Sequence, residues 1–188
     1  MKKISIVLIS VLIISSGCKT KRMLTESQIM AEQAGTAGTT DFTKQITWLL
    51  GYFAKDRMTT PPHSGWYQKG YDEYKWDEGA VNKLTELSKT GLSIKIVMGS
   101  WCPDSRREVP RFMRILDLWG FPPEKVTFIG VDDAKLSPVG EYDKLDIQRV
   151  PTFILYKNNI ETGRIIETPV TSLEQDMVNI LTGMNNNK

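Results

Sequence analysis

The sequence predicts an α/β domain: a mixed central sheet covered by helices on both faces, with an N-terminal helical extension. Three observations lead there. From Asp77 to Val131 the apolar residues alternate between helical and strand spacing, as helix, strand, helix, strand, and that order implies a parallel crossover unit. Thr152 to Tyr156 and Ile160 to Ile166 read as two strands joined across Lys157-Asn158-Asn159, a closing antiparallel hairpin. Finally, 188 residues, less an export segment, make about one domain with a single buried core.

Each element has its own reason. Asp77 can cap a helix running to about Lys89, with Val81, Leu84 and Leu87 inward and Gly91 ending it. Leu92 to Met98 is a strand that puts Leu92, Ile94, Ile96 and Met98 on one face. Asp104 to Trp119 is a helix whose stripe is Val109, Phe112, Met113 and Leu116. Val126 to Val131 is a buried strand, and Asp132 to Gln148 a long connection with room for one helical turn. Ser172 to Leu181 is the last helix, and no internal repeat is visible.

The first 76 residues read differently. Lys2 and Lys3 precede an apolar run from Ile4 to Ile14, then Ser15-Ser16-Gly17-Cys18. A basic start, a short apolar stretch and small residues make an export signal, and the run is too short to span a bilayer comfortably. Small residues ending at a cysteine resemble the bacterial lipoprotein signal, in which Cys18 would be lipidated and become the new N-terminus. Ser15 departs from the Leu that the pattern prefers, and simple cleavage to a soluble exported protein is the alternative. The implied layout is a signal peptide over 1–17 and a lipid-anchored tether with a short helix over 18–40. A helix and an aromatic loop packing on the domain follow over 41–76, then the domain itself over 77–188. Thr25 and Gln28 suggest a capping box for the short helix. Asp41 can cap the next, which carries Phe42, Ile46, Leu49, Leu50 and Phe53 on one face. Pro61-Pro62 stops any helix, and Trp66, Tyr67, Tyr71, Tyr74 and Trp76 crowd into what reads as a loop over a hydrophobic edge. His63, the single histidine, reads as a solvated loop residue.

Composition narrows the function. A net charge of +2 with no dense basic run argues against nucleic acid. One histidine and two cysteines fall short of a structural zinc site, and no cofactor is implied.

Chemistry concentrates at Trp101-Cys102-Pro103-Asp104-Ser105, where a strand ends and a helix begins. Unpaired backbone N–H groups and the helix dipole favour negative charge there, so a thiolate gains. Arg106 and Arg107 would add to this; Asp104 and Glu108 would oppose it. Strand, Trp-Cys-Pro, helix, strand, then Val150-Pro151-Thr152 opening a hairpin resembles a thioredoxin-fold protein. Pro110, eight residues after Cys102, matches the proline that kinks the helix in that family. The likeness runs from about Asp77 to Met184. It implies that Pro151 is cis and lies beside Cys102, that the Val150 backbone pairs with an extended substrate, and that Trp101 and Pro103 flank the site.

Two departures limit what the resemblance implies. Ser105 stands where thioredoxins have the second cysteine, and a hydroxyl cannot attack a mixed disulfide. Ile96 stands where they often have a buried acid. The expected activity is therefore monothiol thiol–disulfide exchange through Cys102, with Ser105 as a hydrogen-bond donor to the sulfur. The expected partners are thiol- or disulfide-containing envelope proteins, an external thiol reductant, and the membrane through the lipid anchor, facing the periplasm. A non-catalytic binding or assembly module on the same fold is the alternative reading. A thiol peroxidase or other redox sensor acting through Cys102 is a third.

Overall fold

The computed structural model describes residues 47–184. Cys18, the capping box at Thr25 and the Asp41 cap lie outside the described residues. A short strand, β1 (Gly51–Phe53), leads into two helices, α1 (Asp56–Thr59) and α2 (Ser64–Asp72), and then α3 (Glu78–Glu86). Strand β2 (Leu92–Met98), helix α4 (Pro103–Trp119) and β3 (Val126–Gly130) form the crossover unit. The hairpin β4 (Thr152–Lys157) and β5 (Ile160–Ile166) and helix α5 (Leu173–Leu181) complete it.

The sheet order is β1-β3-β2-β4-β5. β2 runs parallel to β3, with Ile96 opposite Phe128, and antiparallel to β4, with Ile96 opposite Phe153. β5 pairs antiparallel with β4. The helix ends follow local chemistry. The Asp77 carboxylate accepts the Ala80 N–H at 3.1 Å and the Ser172 hydroxyl accepts the Gln175 N–H at 3.2 Å, each satisfying an N–H that the first turn leaves unpaired. Pro103 opens α4, where its missing N–H costs nothing.

One large core fills the helix-covered face. Leu92, Ile94, Ile96 and Met98 meet Val109, Phe112 and Leu116 of α4 and Leu173 and Met177 of α5. Phe112 and Phe153 stack at 4.2 Å, both fully buried, and each such side chain contributes about 1.5–3 kcal/mol through area removed from water.

Three expectations are corrected. Among the described residues, helices cover only one face of the sheet. Each of the five described α-helices contributes to the first core, and the other face is closed by Val139, Tyr142, Leu145 and Ile147 of the long connection, packed on Val97, Ile129 and Ile154. Among the described residues this second cluster holds no α-helical side chain. The connection makes only a single 3-10 turn, Tyr142–Leu145, because its apolar residues are too sparse to bury a helical stripe.

Next, residues expected at the end of the Asp41 helix form β1 instead, antiparallel to β3. Without it the outer edge of β3 would leave backbone donors and acceptors unpaired. Lastly, the expected aromatic loop is mostly helix α2. Tyr67, Tyr71 and Tyr74 recur at helical spacing, and Trp66, Tyr71 and Tyr74 pack against the core around buried Tyr67. Pro61-Pro62 does separate α1 from α2, through a cis bond.

The approach to β1 is tight. A Cβ built on Gly130 would sit 1.9 Å from the Leu49 carbonyl oxygen, whereas one on Gly140 meets nothing within 4 Å. Gly130→Ala is expected to lower stability by about 3 kcal/mol, at the upper end of overpacking costs, and Gly140→Ala to change it little. Urea midpoints compare the two, and equal midpoints would refute the contact.

Candidate functional site

β2 ends at Met98, and the chain turns through Gly99, Ser100 and Trp101 to enter α4 at Cys102, its N-cap residue. The turn is held from several sides. The Cys102 N–H donates to the Gly99 carbonyl at 2.9 Å, and the Ser100 hydroxyl accepts the Leu49 N–H at 3.0 Å. Arg106 donates its Nε–H to the Ser100 carbonyl at 2.6 Å. The Trp101 indole N–H donates to the Val131 carbonyl at 3.0 Å. Its ring lies over Gly99, where a Cβ would come within 2.6 Å of the indole. Trp48 lies against its ring, with centroids 6.4 Å apart.

The residues singled out in the domain sequence meet here. Trp101, Cys102, Pro103 and Ser105 share one turn. Val150 and Pro151 reach it from the start of β4, and the bond between them is cis. The Cys102 thiol donates to the Val150 carbonyl oxygen at 3.3 Å. Cys102 is a free thiol, 7% exposed. Its sulfur makes no capping bond to the helix amides; it turns to Val150 instead, and a thiolate could not make that bond.

Ser105 differs from its expected role. It is fully buried, and its hydroxyl accepts the Gly99 N–H at 3.2 Å, so it holds the end of β2 to α4. The charges of the first turn also sort themselves. Arg107 pairs with Asp104 at 2.7 Å and with Glu108 at 2.6 Å, and Arg111 reaches Glu108 at 3.2 Å. Much of the positive charge of Arg107 is thereby neutralised, while Arg106 makes no ion pair among the described residues.

Several residues of this region escaped the sequence reading. His63 is not solvated: it is 6% exposed and sits edge-on to Trp66 at 5.9 Å. Burial, then the positive charges of Arg106 and Arg57, push its pKa below the usual value of 6.5. The aromatic stretch is likewise turned inward. The Tyr71 hydroxyl donates to Asp117 at 2.6 Å, and that of Tyr74 to the buried Glu174 at 2.8 Å. Arg114 lies over both Tyr71, at 5.0 Å, and Trp76, at 5.2 Å. Burial, then the bond to Glu174, pushes the Tyr74 phenol up, so it stays a donor.

No protein-family model matches this chain, and no curated protein matches it. Among solved structures, the 1.5 Å crystal structure of a protein of unknown function from Pseudomonas aeruginosa is similar. It has 12% sequence identity and a TM-score of 0.47, over 87% of this chain and 100% of the other. Among the described residues no helix is long and apolar enough to cross a membrane.

Ser105→Ala leaves the buried Gly99 N–H without its acceptor, which costs about 1–3 kcal/mol; an unchanged urea midpoint would show that the hydroxyl does not hold that amide. His63 gives a pH signature. Its folded pKa is depressed, so the unfolded chain binds the proton more readily. Stability is full above the unfolded pKa of about 6.5 and falls as pH drops below it. His63→Gln is expected to remove that part of the slope between pH 7 and the lowered folded pKa; an identical pH profile in the variant would refute it.

Proposed function

We propose that this chain is an envelope-anchored protein of thioredoxin-like fold that carries out monothiol thiol–disulfide exchange through Cys102. One observation carries the reading: the Cys102 thiol stands at the N-terminal end of α4, 3.3 Å from the Val150 carbonyl that precedes Pro151. The order strand, Trp-Cys-Pro, helix, strand, Val-Pro-Thr, hairpin supports it, as does Pro110 inside α4. The basic, apolar and small residues ending at Cys18 support a lipid anchor facing the periplasm.

The chemistry balances as follows. The Cys102 thiolate attacks one sulfur of a substrate disulfide. A new S–S bond forms as the old one breaks, and the departing sulfur leaves with the electron pair and takes a proton from solvent. Ser105 cannot resolve the mixed disulfide, so an external thiol must do so, or a second cysteine of the substrate. In the first route one external thiol attacks the Cys102 sulfur and releases the substrate as a dithiol. A second external thiol then frees Cys102 and leaves as a disulfide with the first. In the second route a substrate cysteine attacks the substrate sulfur of the mixed disulfide, frees Cys102 and leaves a rearranged substrate disulfide. Where it re-forms the original pair, the disulfide is unchanged and two external thiols must reduce it. Trp101, Pro103, Val150 and Pro151 would border the incoming chain, with the Val150 backbone as its hydrogen-bonding edge.

The burial of Cys102 favours a second reading, a thioredoxin-fold binding or assembly module in which the sulfur is packing. Covalent capture separates the two. Cells expressing the full chain are quenched with acid and alkylated, and disulfide-linked complexes are resolved without reductant. Exchange predicts complexes joined through Cys102 that vanish in Cys102→Ala. Absence of such complexes, with an unaltered phenotype in Cys102→Ala, selects the binding module.

A further inference from the structure

A groove of about 340 Å³ runs between α2 and α4, beside the turn that carries Cys102. Trp66, Lys69, Tyr74, Arg106, Arg107 and Arg111 line it, with Glu73 as its one lining carboxylate. Arg107 and Arg111 are held by Asp104 and Glu108. Lys69 and Arg106 make no ion pair among the described residues. The lining therefore carries four cations against one carboxylate, with Lys69 beside Glu73 on one wall and Arg106 on the other. Aromatic rings lie between the charges, and Arg111 already lies 5.5 Å from the Tyr74 ring centroid.

The groove is tied to the backbone of the Cys102 turn through Arg106. Its N–H donates to the Cys102 carbonyl at 3.0 Å and its side chain holds the Ser100 carbonyl. Along α4, Arg106 lies about 6 Å and Arg111 about 13 Å beyond Cys102, at about 1.5 Å of rise per residue. An extended chain covers that span in about two to four residues.

We propose that this groove receives an acidic segment of the substrate polypeptide, with Asp or Glu two to four residues from the cysteine that Cys102 attacks. The assignment rests on the exchange reading above and names its substrate class. A concave slot between two helices suits a peptide; a flat anionic bilayer would reach its rim only.

The test uses three short peptides, each with one cysteine held as a disulfide to thionitrobenzoate and flanked by glutamate, serine or lysine. Attack by Cys102 on the peptide sulfur forms the mixed disulfide and releases the thionitrobenzoate anion, read by absorbance. At about 20 mM salt the glutamate peptide is expected to react at least about ten-fold faster than the lysine peptide, as for electrostatically steered encounters. At about 1 M salt, where the Debye length is about 3 Å, the preference should collapse. Lys69→Glu, an exposed change, and Arg106→Gln should each cut the preference several-fold, while Lys125→Glu should not. Equal rates for the three peptides overturn the proposal, as does an equal loss of preference in Lys125→Glu. If no peptide reacts, the exchange reading fails, and the groove is decided by fluorescence anisotropy of a cysteine-free glutamate peptide on the full chain. Saturable binding that weakens in Lys69→Glu keeps it. No binding, or binding of anionic phospholipid vesicles alone, overturns it.

Discussion

β2 is hydrogen-bonded on both edges, parallel to β3 and antiparallel to β4, and the rest of the structure depends on that placement. One face of the strand, Ile94, Ile96 and Met98, anchors the large core with α4 and α5. The other, through Val97, anchors the smaller one. β2 is central, paired on both sides as far as Val97, and the turn from Gly99 to Cys102 continues directly from its C-terminal end. The same neighbour, β4, begins at Thr152, just after Val150 and Pro151. The hydrogen-bond register that pairs Val97 with Thr152 is what brings the Val150 carbonyl to the sulfur.

Around the turn, polar groups are spent on holding geometry. Ser105 secures Gly99, Ser100 secures Leu49, and the Trp101 indole secures Val131. Such buried bonds each add only a modest net stabilisation, but losing one partner is costly. The sulfur is the exception, since its single weak bond to Val150 is easily exchanged. The arginines divide in the same way. Arg107 and Arg111 close on carboxylates of their own helix, while Arg106 binds a carbonyl and keeps its charge. A positive groove beside a nearly covered thiol follows from this division.

The segment ahead of α3 is structural where it is described. β1 completes the sheet, Leu49 sits in the core, and Tyr71 of α2 and Tyr74 just beyond it close their hydroxyls onto Asp117 and Glu174. A helical signal was present in the spacing of Tyr67, Tyr71 and Tyr74. It was obscured by Pro61-Pro62 and by glycines at 65 and 70, which locally resemble loop chemistry. No signal in the chain marks β1: three residues are too few for a period, and only the unpaired edge of β3 explains them.

The sequence by itself determined the crossover unit, the hairpin, the last helix and the caps at Asp77 and Ser172, because apolar period, caps and turn residues are local properties read within one element. The helix after Asp77, however, stops at Glu86, short of the Lys89 and Gly91 end that was expected. It also marked Trp101, Cys102, Pro103, Val150 and Pro151, since motif and order survive without coordinates. Tertiary structure decided the rest. It placed the described helices on one face, drew β1 into the sheet, turned Ser105 from the sulfur toward Gly99, buried His63 and gathered the cations of α2 and α4 into one groove. Those outcomes depend on which distant surfaces meet, and contacts between residues far apart in sequence leave no mark in the spacing of either partner.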